Sequence, residues 1–74
     1  MTANNMKYGL IYNIVDFNAD IVIKRRLIDL GFRKSSNLQL IKRSILKANF
    51  LVSVDGVVYA IRKELANKII VKEK

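Results

Sequence analysis

The sequence predicts a mainly β domain, a small closed barrel of five strands with one α-helix between the first and second strands. Most of the chain consists of short alternating apolar stretches separated by polar turn residues, as in β-strands. One stretch, residues 20–32, differs: Ile23, Leu27 and Leu30 recur at helical spacing and form one apolar face. A closed barrel would hide the strand edges that otherwise invite aggregation. Because one face of the helix is apolar, we expect the helix to lie across the mouth of this barrel and to complete its core.

The helix has signals at both ends. At its start, the side chain of Asn18 or Asp20 can accept a hydrogen bond from a free N–H of the first turn. At its end, Gly31 can adopt a left-handed conformation without a Cβ penalty, which would bring Phe32 back onto Leu27. These signals predict a short helix with a defined stop.

A second apolar flank of the helix allows two interpretations. Ile21 and Ile28 are separated from the main stripe by Asp20 and Lys24. We expect a broad buried arc from which the Lys24 side chain extends to solvent. The alternative is an exposed apolar strip that faces a partner.

The first and second strands follow from alternation. In the first, from about residue 8 to residue 17, Val15 and Phe17 are expected on the buried face. After a loop at residues 33–37, a strand over residues 38–43 should point Leu38 and Leu40 inward. Residues 44–49 are expected to form a loop that carries apolar side chains.

A hairpin is the clearest element. Asp55-Gly56 is a strong two-residue turn signal between alternating runs at residues 50–54 and 57–61. Phe50, Val52 and Val54 form one face of the first strand, and Val57, Tyr59 and Ile61 on the second strand should lie opposite them. A helical turn over residues 62–68 and a closing strand over residues 69–71 complete the chain.

Length and composition bound the function. With 74 residues the chain can form one domain, expected over residues 8–74 after a frayed polar segment at residues 1–7. No apolar run is long enough for a membrane span and no secretion signal is present, so a cytoplasmic location is expected. The net charge of +8 suits an acidic protein, an anionic surface or nucleic acid.

Catalysis and tight metal binding are not expected. The sequence contains no cysteine or histidine, so a thiol nucleophile and the usual zinc ligands are missing. The three glycines form no phosphate-cradling motif. We expect no catalytic residue, no metal ligand and no cofactor, which leaves binding as the function.

Two stretches resemble a known family. Arg26-Leu27 followed by Leu30-Gly31-Phe32 is similar to the R-L-x-x-L-G-hydrophobic signature of the FeoA family, small cytoplasmic proteins of bacterial ferrous iron uptake. Residues 56–69, GVVYAIRKELANKI, resemble that family's G-x-x-hydrophobic-A-L-R-x-x-x-A-x-x-I ending. The chain departs from the family where Lys34-Ser35 replaces a frequent Pro-Gly and where residues 44–49 replace a proline-containing loop.

The resemblance implies an SH3-like barrel and a role as accessory to FeoB, the membrane GTPase that moves ferrous iron. The hypothesis that follows is a module that docks on the cytoplasmic side of a FeoB-like GTPase and meets the membrane only through that partner. The candidate partner-binding residues are basic and apolar side chains near loops: Arg25, Arg33, Lys34, Lys42, Arg43, Ile45, Leu46 and Lys47. Phe50 is a further apolar candidate, although a core position is the ordinary expectation for it.

Two other functions stay open at this point. A small basic barrel that binds nucleic acid is the alternative, which we consider weaker because the aromatic residues fall mainly on expected inward faces. Self-association is the second, with the Ile21 and Ile28 flank as the contact.

Overall fold

The computed structural model of the chain describes residues 1–44 and 49–74. This part of the chain forms strands β1 (Tyr12–Phe17), β2 (Asn37–Arg43), β3 (Asn49–Val54), β4 (Val57–Arg62) and β5 (Ile69–Glu73), with helices α1 (Ile21–Asp29) and α2 (Lys63–Ala66). The strands pair antiparallel in the order β4-β3-β2-β1-β5, so β4 and β5 are the end strands and α2 forms their connection. The predicted mainly β fold with its main helix between the first two strands is confirmed.

Both predicted ends of α1 are confirmed. Of the two candidate caps, Asp20 is the one used: its Oδ1 accepts a hydrogen bond of 2.9 Å from the N–H of Ile23. At the other end Gly31 has φ 106°, and the N–H of Phe32 donates to the carbonyl of Leu27 over 2.9 Å. This pairing is the Schellman motif, and it places Phe32 beside Leu27 in the core.

The expected broad buried arc on α1 is wrong. Leu27 is 1% exposed, whereas Ile21 is 67% exposed and Ile28 is 37% exposed. These two side chains lie roughly 100° or more around the helix axis from Leu27, beyond the reach of the sheet. Leu30, expected inward, is 46% exposed because it follows the last helical residue as the C-cap. The outer face of α1 is therefore an exposed apolar strip.

The buried face of β1 also differs from the expectation. Val15 is exposed, while Tyr12, Ile14 and Phe17 are buried. The register between β1 and β5 shifts between Ile14 and Asp16. A bulge of this kind interrupts the two-residue alternation, so Ile14 and Phe17 can both point into the core.

Residues 1–7 are packed against the domain, so the expectation of a frayed segment is wrong. Ala3 and Met6 are buried within the core, and residues 3–5 form a 3-10 helix. The guanidinium of Arg43 donates to the carbonyl oxygens of Asn4 over 3.1 Å and Met6 over 3.0 Å. The backbone of the segment also pairs with β5, where the N–H of Val71 donates to the carbonyl of Met1 over 2.9 Å, so these contacts together outweigh its polar composition.

The hairpin of β3 and β4 confirms the turn signal. Asp55 and Gly56 both have positive φ, 49° and 90°, as a type I′ turn requires. The predicted pairing is also confirmed, because Val54 lies opposite Val57, Val52 opposite Tyr59 and Phe50 opposite Ile61. Val57 is exposed, because it lies next to the turn on an end strand. The expected helical turn is α2.

In residues 1–44 and 49–74, no helix combines the length and the apolar character that crossing a bilayer demands.

Candidate partner-binding surface

A groove runs between α1, α2 and the end strand β4. It consists of two adjoining cavities of about 190 and 430 Å³, which share Ile23 and Leu65. The remaining lining residues are Arg26, Leu27, Leu30, Ala60, Ile61, Arg62, Glu64 and Lys68. We call this surface the helical groove.

The floor of the helical groove is apolar. Leu27 and Ile61 are buried at its base, and Ile23 and Leu65 are half-buried against the same core. Leu30 stands at the border with nearly half of its surface exposed. The i, i+4, i+7 stripe of α1 is thus divided: Leu27 enters the core and the other two residues line the groove. Apolar side chains at the base of a cleft, with polar groups at its edge, are the usual lining of a binding site.

The rim of the helical groove is basic. Arg26, Arg62 and Lys68 border it together with one carboxylate, Glu64. Within the described part of the chain, both ion pairs involve Asp16, so no carboxylate lies within 4.0 Å of the three rim cations. Their charge is free to attract an acidic partner.

None of the described partner-binding candidates from the sequence lines this groove. Arg25 and Arg33 are exposed elsewhere on the surface, and Lys34 lines a different groove. Lys42 lines a smaller neighbouring cavity that shares Ala60 with the helical groove. Three further candidates, Ile45, Leu46 and Lys47, lie outside the described residues.

Arg43 and Phe50 have internal roles. Phe50 belongs to the core, and the guanidinium carbon of Arg43 lies 5.0 Å from the centre of its ring. With two further hydrogen bonds to the N-terminal segment, this guanidinium holds residues 1–7 on the domain. Neither side chain is available as a partner contact, so we leave both out of the proposed surface.

None of the ten residues that line the helical groove was among the partner-binding candidates predicted from the sequence, and Arg26, Arg62, Leu30 and Leu65 are the main omissions. The signal was available, because residues 26–32 and 56–69 carry the resemblance and also supply most of the groove lining. The candidates were instead chosen by their charge and by their position near loops, and these two criteria favoured residues outside the groove.

Asp16 forms a separate electrostatic cluster. Its Oδ1 accepts a 2.8 Å hydrogen bond from the N–H of Phe17 and lies 3.9 Å from the ammonium of Lys34 and 4.0 Å from that of Lys24. The backbone hydrogen bond, then Lys34 and Lys24, hold the pKa of Asp16 below its ordinary value of 3.8. The carboxylate is ionised at neutral pH and serves to fix its neighbours.

Among residues 1–44 and 49–74, no three His, Cys, Asp or Glu side chains are grouped as a metal ion would need. The chemistry available at the described surface is apolar contact, hydrogen bonding and charge attraction.

A protein-family model matches nearly the whole chain. Residues 1–73 match the model of the FeoA domain. A protein of Campylobacter jejuni named "Putative Fe(2+) transport protein A" is 37% identical over 69 residues, which cover 93% of each chain.

Solved structures share the fold. The NMR structure of the FeoA protein from Chlorobium tepidum superposes with a TM-score of 0.88 at 25% identity, covering 99% of this chain and 70% of that one. The crystal structure of Stenotrophomonas maltophilia FeoA complexed with zinc, described as a procaryotic SH3 domain protein, gives 0.81 at 23% identity, covering 97% and 89%. The SH3-like fold predicted from the resemblance is therefore confirmed.

Proposed function

The chain belongs to the FeoA family, and on this premise we propose that it docks on the cytoplasmic part of a FeoB-like membrane GTPase as an accessory protein of ferrous iron uptake. The observation that carries the proposal is the helical groove. The two stretches that resemble the family, far apart in sequence, meet there and supply its apolar floor and its basic rim. The activity is binding, with no reaction catalysed.

The groove favours an occupant of particular chemistry: a segment with one or two apolar side chains flanked by carboxylates. Its apolar side chains would replace water over Ile23, Leu30 and Leu65, which gives affinity. Its carboxylates would meet the unpaired charges of Arg26 and Arg62, which steers encounter and orients the segment. A cytoplasmic location follows for the accessory, because the GTPase that it serves acts there.

The nucleic-acid alternative loses support. Tyr12, Phe17, Phe32 and Phe50 are in the core and Tyr59 is half-buried, so of the six aromatic rings only that of Tyr8 is exposed as a stacking platform for a base. The basic charge would still attract the phosphate backbone of a nucleic acid, but base stacking on buried rings would add nothing to that affinity.

A binding experiment with the purified cytoplasmic GTPase domain of the transporter tests the proposal. Leu30→Gln is expected to weaken binding about tenfold, because it removes apolar contact at the groove border. Ile41→Gln is the matched control, since Ile41 on β2 is also 46% exposed but is not part of the groove. Its affinity should stay within about twofold of the wild type. Thermal unfolding of each variant verifies that it is folded.

Charge reversal sharpens the same experiment. Arg26→Glu should slow association and reduce its salt dependence, whereas Lys7→Glu, an exposed site outside the groove, should change association less. No binding by the wild type at low and at moderate salt would overturn the proposal, as would equal losses in the Leu30 and Ile41 variants.

Sedimentation of the free chain shows whether a second copy occupies the groove instead. A dimer disrupted by Leu30→Gln would replace the transporter as the partner.

A further inference from the structure

A second groove, of about 590 Å³, opens on another part of the surface, along β1 and β5. It is lined by Asn13, Ile14, Val15, Lys34, Ser35, Asn37, Lys72 and Lys74. It shares no residue with the helical groove. We call it the lysine groove, after its three lysines.

The antiparallel register explains why polar side chains gather there. Asn13 on β1 pairs with Asn37 on β2 and with Lys72 on β5. Directly opposed residues project on the same face of a sheet, so these three form a row across three strands. Their neighbours Tyr12 and Leu38, which pair with each other, are buried on the opposite face, so the row itself faces solvent.

A hydrogen-bond network organises the row. The Asn13 amide nitrogen donates to Asn37 Oδ1 over 3.0 Å and to the Ser35 carbonyl over 3.3 Å. The ammonium of Lys74 donates to the same Asn37 oxygen over 3.2 Å. With that oxygen accepting two hydrogen bonds, the part of the Asn37 amide left for a ligand is its NH2 group, a donor.

The charges in the lysine groove are poorly compensated. Lys34 lies 3.9 Å from Asp16, a carboxylate that it shares with Lys24. No carboxylate of residues 1–44 and 49–74 lies within 4.0 Å of the ammonium of Lys72 or Lys74. Three ammonium groups and a free amide donor thus surround one opening, and an anion would satisfy them together.

We propose that the lysine groove binds a ligand that presents several phosphate groups at once. Lysine ammoniums act as separate point charges and suit several phosphate oxygens at different positions, whereas planar carboxylates are best held by the two-pronged guanidinium of arginine, and the groove contains no arginine. The volume lies in the range of small-ligand sites, about 300 to 1,000 Å³. The phosphates can come from a soluble nucleotide or from an anionic lipid surface.

Titration of the full chain with inorganic triphosphate, followed by amide NMR, tests the site. Saturable shifts are expected at the side-chain amides of Asn13 and Asn37. Lys72→Gln should weaken binding at least fivefold. Lys7→Gln removes the same charge from an exposed position outside the groove and should weaken binding less than twofold.

Two further arms identify the source of the phosphates. Competition by a nucleoside triphosphate at constant ionic strength, with no sedimentation on vesicles, supports a soluble ligand. Lys72-dependent sedimentation on phosphatidylglycerol vesicles, but not on phosphatidylcholine vesicles, supports a lipid surface.

The proposal is overturned if triphosphate gives no saturable shifts, or if Lys72→Gln and Lys7→Gln weaken binding equally, since that result reports net charge alone. Tighter binding of a polyglutamate peptide than of triphosphate would also overturn it. Because the lysine groove and the helical groove have no residue in common, Leu30→Gln should leave triphosphate binding unchanged.

Discussion

The N-terminal segment and helix α1 reverse the usual relation between composition and burial. Residues 1–7 are mostly polar, yet Met6 is 1% exposed. Helix α1 is rich in aliphatic residues, yet Ile21 and Val22 are about two-thirds exposed, at 67% and 66%. Composition would assign the first region to solvent and the second to the core.

The difference lies in what each region packs against. The N-terminal segment is short, but it is held by the Arg43 guanidinium, by backbone pairing with β5 and by the burial of Ala3 and Met6 in the core. Helix α1 contacts the core mainly through Leu27. Most of its other apolar side chains are not covered by the sheet and stay exposed. Exposed apolar residues that the fold does not need are available for a partner.

The largest expected effect is on the free energy of unfolding, and it distinguishes the core-facing residue Leu27 from the groove residue Leu30. Leu27→Ala should lower the free energy of unfolding by about 3 kcal/mol, because it removes a fully buried side chain and leaves a cavity. Leu30→Ala should lower it by less than about 1 kcal/mol, as expected for a partly exposed position. Urea unfolding measures both. Similar losses in the two variants would contradict the division of the stripe into core and groove.

The next effect concerns the N-terminal segment. Arg43→Met should cost about 2 kcal/mol, because it removes hydrogen bonds from a charged donor to two carbonyls. Hydrogen exchange at the Met6 amide, which donates to the Ala3 carbonyl over 3.3 Å, should become faster. Lys42→Met, at the adjacent exposed position, is the control and should leave this exchange unchanged. Unaltered Met6 exchange in the Arg43 variant would show that other contacts hold the segment.

A smaller effect compares the two ends of α1. Gly31→Ala should cost about 1 to 2 kcal/mol, since an L-residue is disfavoured at φ 106°. The added Cβ would lie 3.6 Å from Tyr59 Oη, an ordinary contact, so the cost is backbone strain. Asp20→Ala should cost about 1 kcal/mol through loss of the cap. Asp20→Asn keeps an acceptor and should be nearly neutral; a loss as large as that of the alanine variant would count against capping.

The smallest effect is the pH dependence of Asp16. Because its folded-state pKa is lowered, its contribution to stability is present above the ordinary value of 3.8 and is lost as pH falls through the folded-state pKa. NMR titration of the carboxyl group should show this shift at low salt. High salt should reduce the part due to Lys34 and Lys24 and keep the part due to the Phe17 hydrogen bond. If the Asp16 carboxyl group had its ordinary pKa at low salt, the proposed stabilisation of its charge by these neighbours would be contradicted.

Local chemistry explains which elements could be predicted. The Asp55-Gly56 turn, the Asp20 cap and the Gly31 stop are each decided within a few residues, and all three are present in the structure. The burial of Val15 was mispredicted because the bulge in β1 depends on its pairing with β5, more than fifty residues away. The family signature predicted the fold but did not by itself indicate that its two stretches share a groove.

The sequence by itself determined the elements, their order, the basic charge and the family, because these follow from short-range periodicity, caps and turns. Only the tertiary structure decided which apolar residues are buried and which face solvent. Which residues are buried depends on how much of the α1 surface the sheet can cover and on which other elements pack beside α1. For the same reason the helical groove appears only when Arg26 and Leu30 are brought next to Leu65.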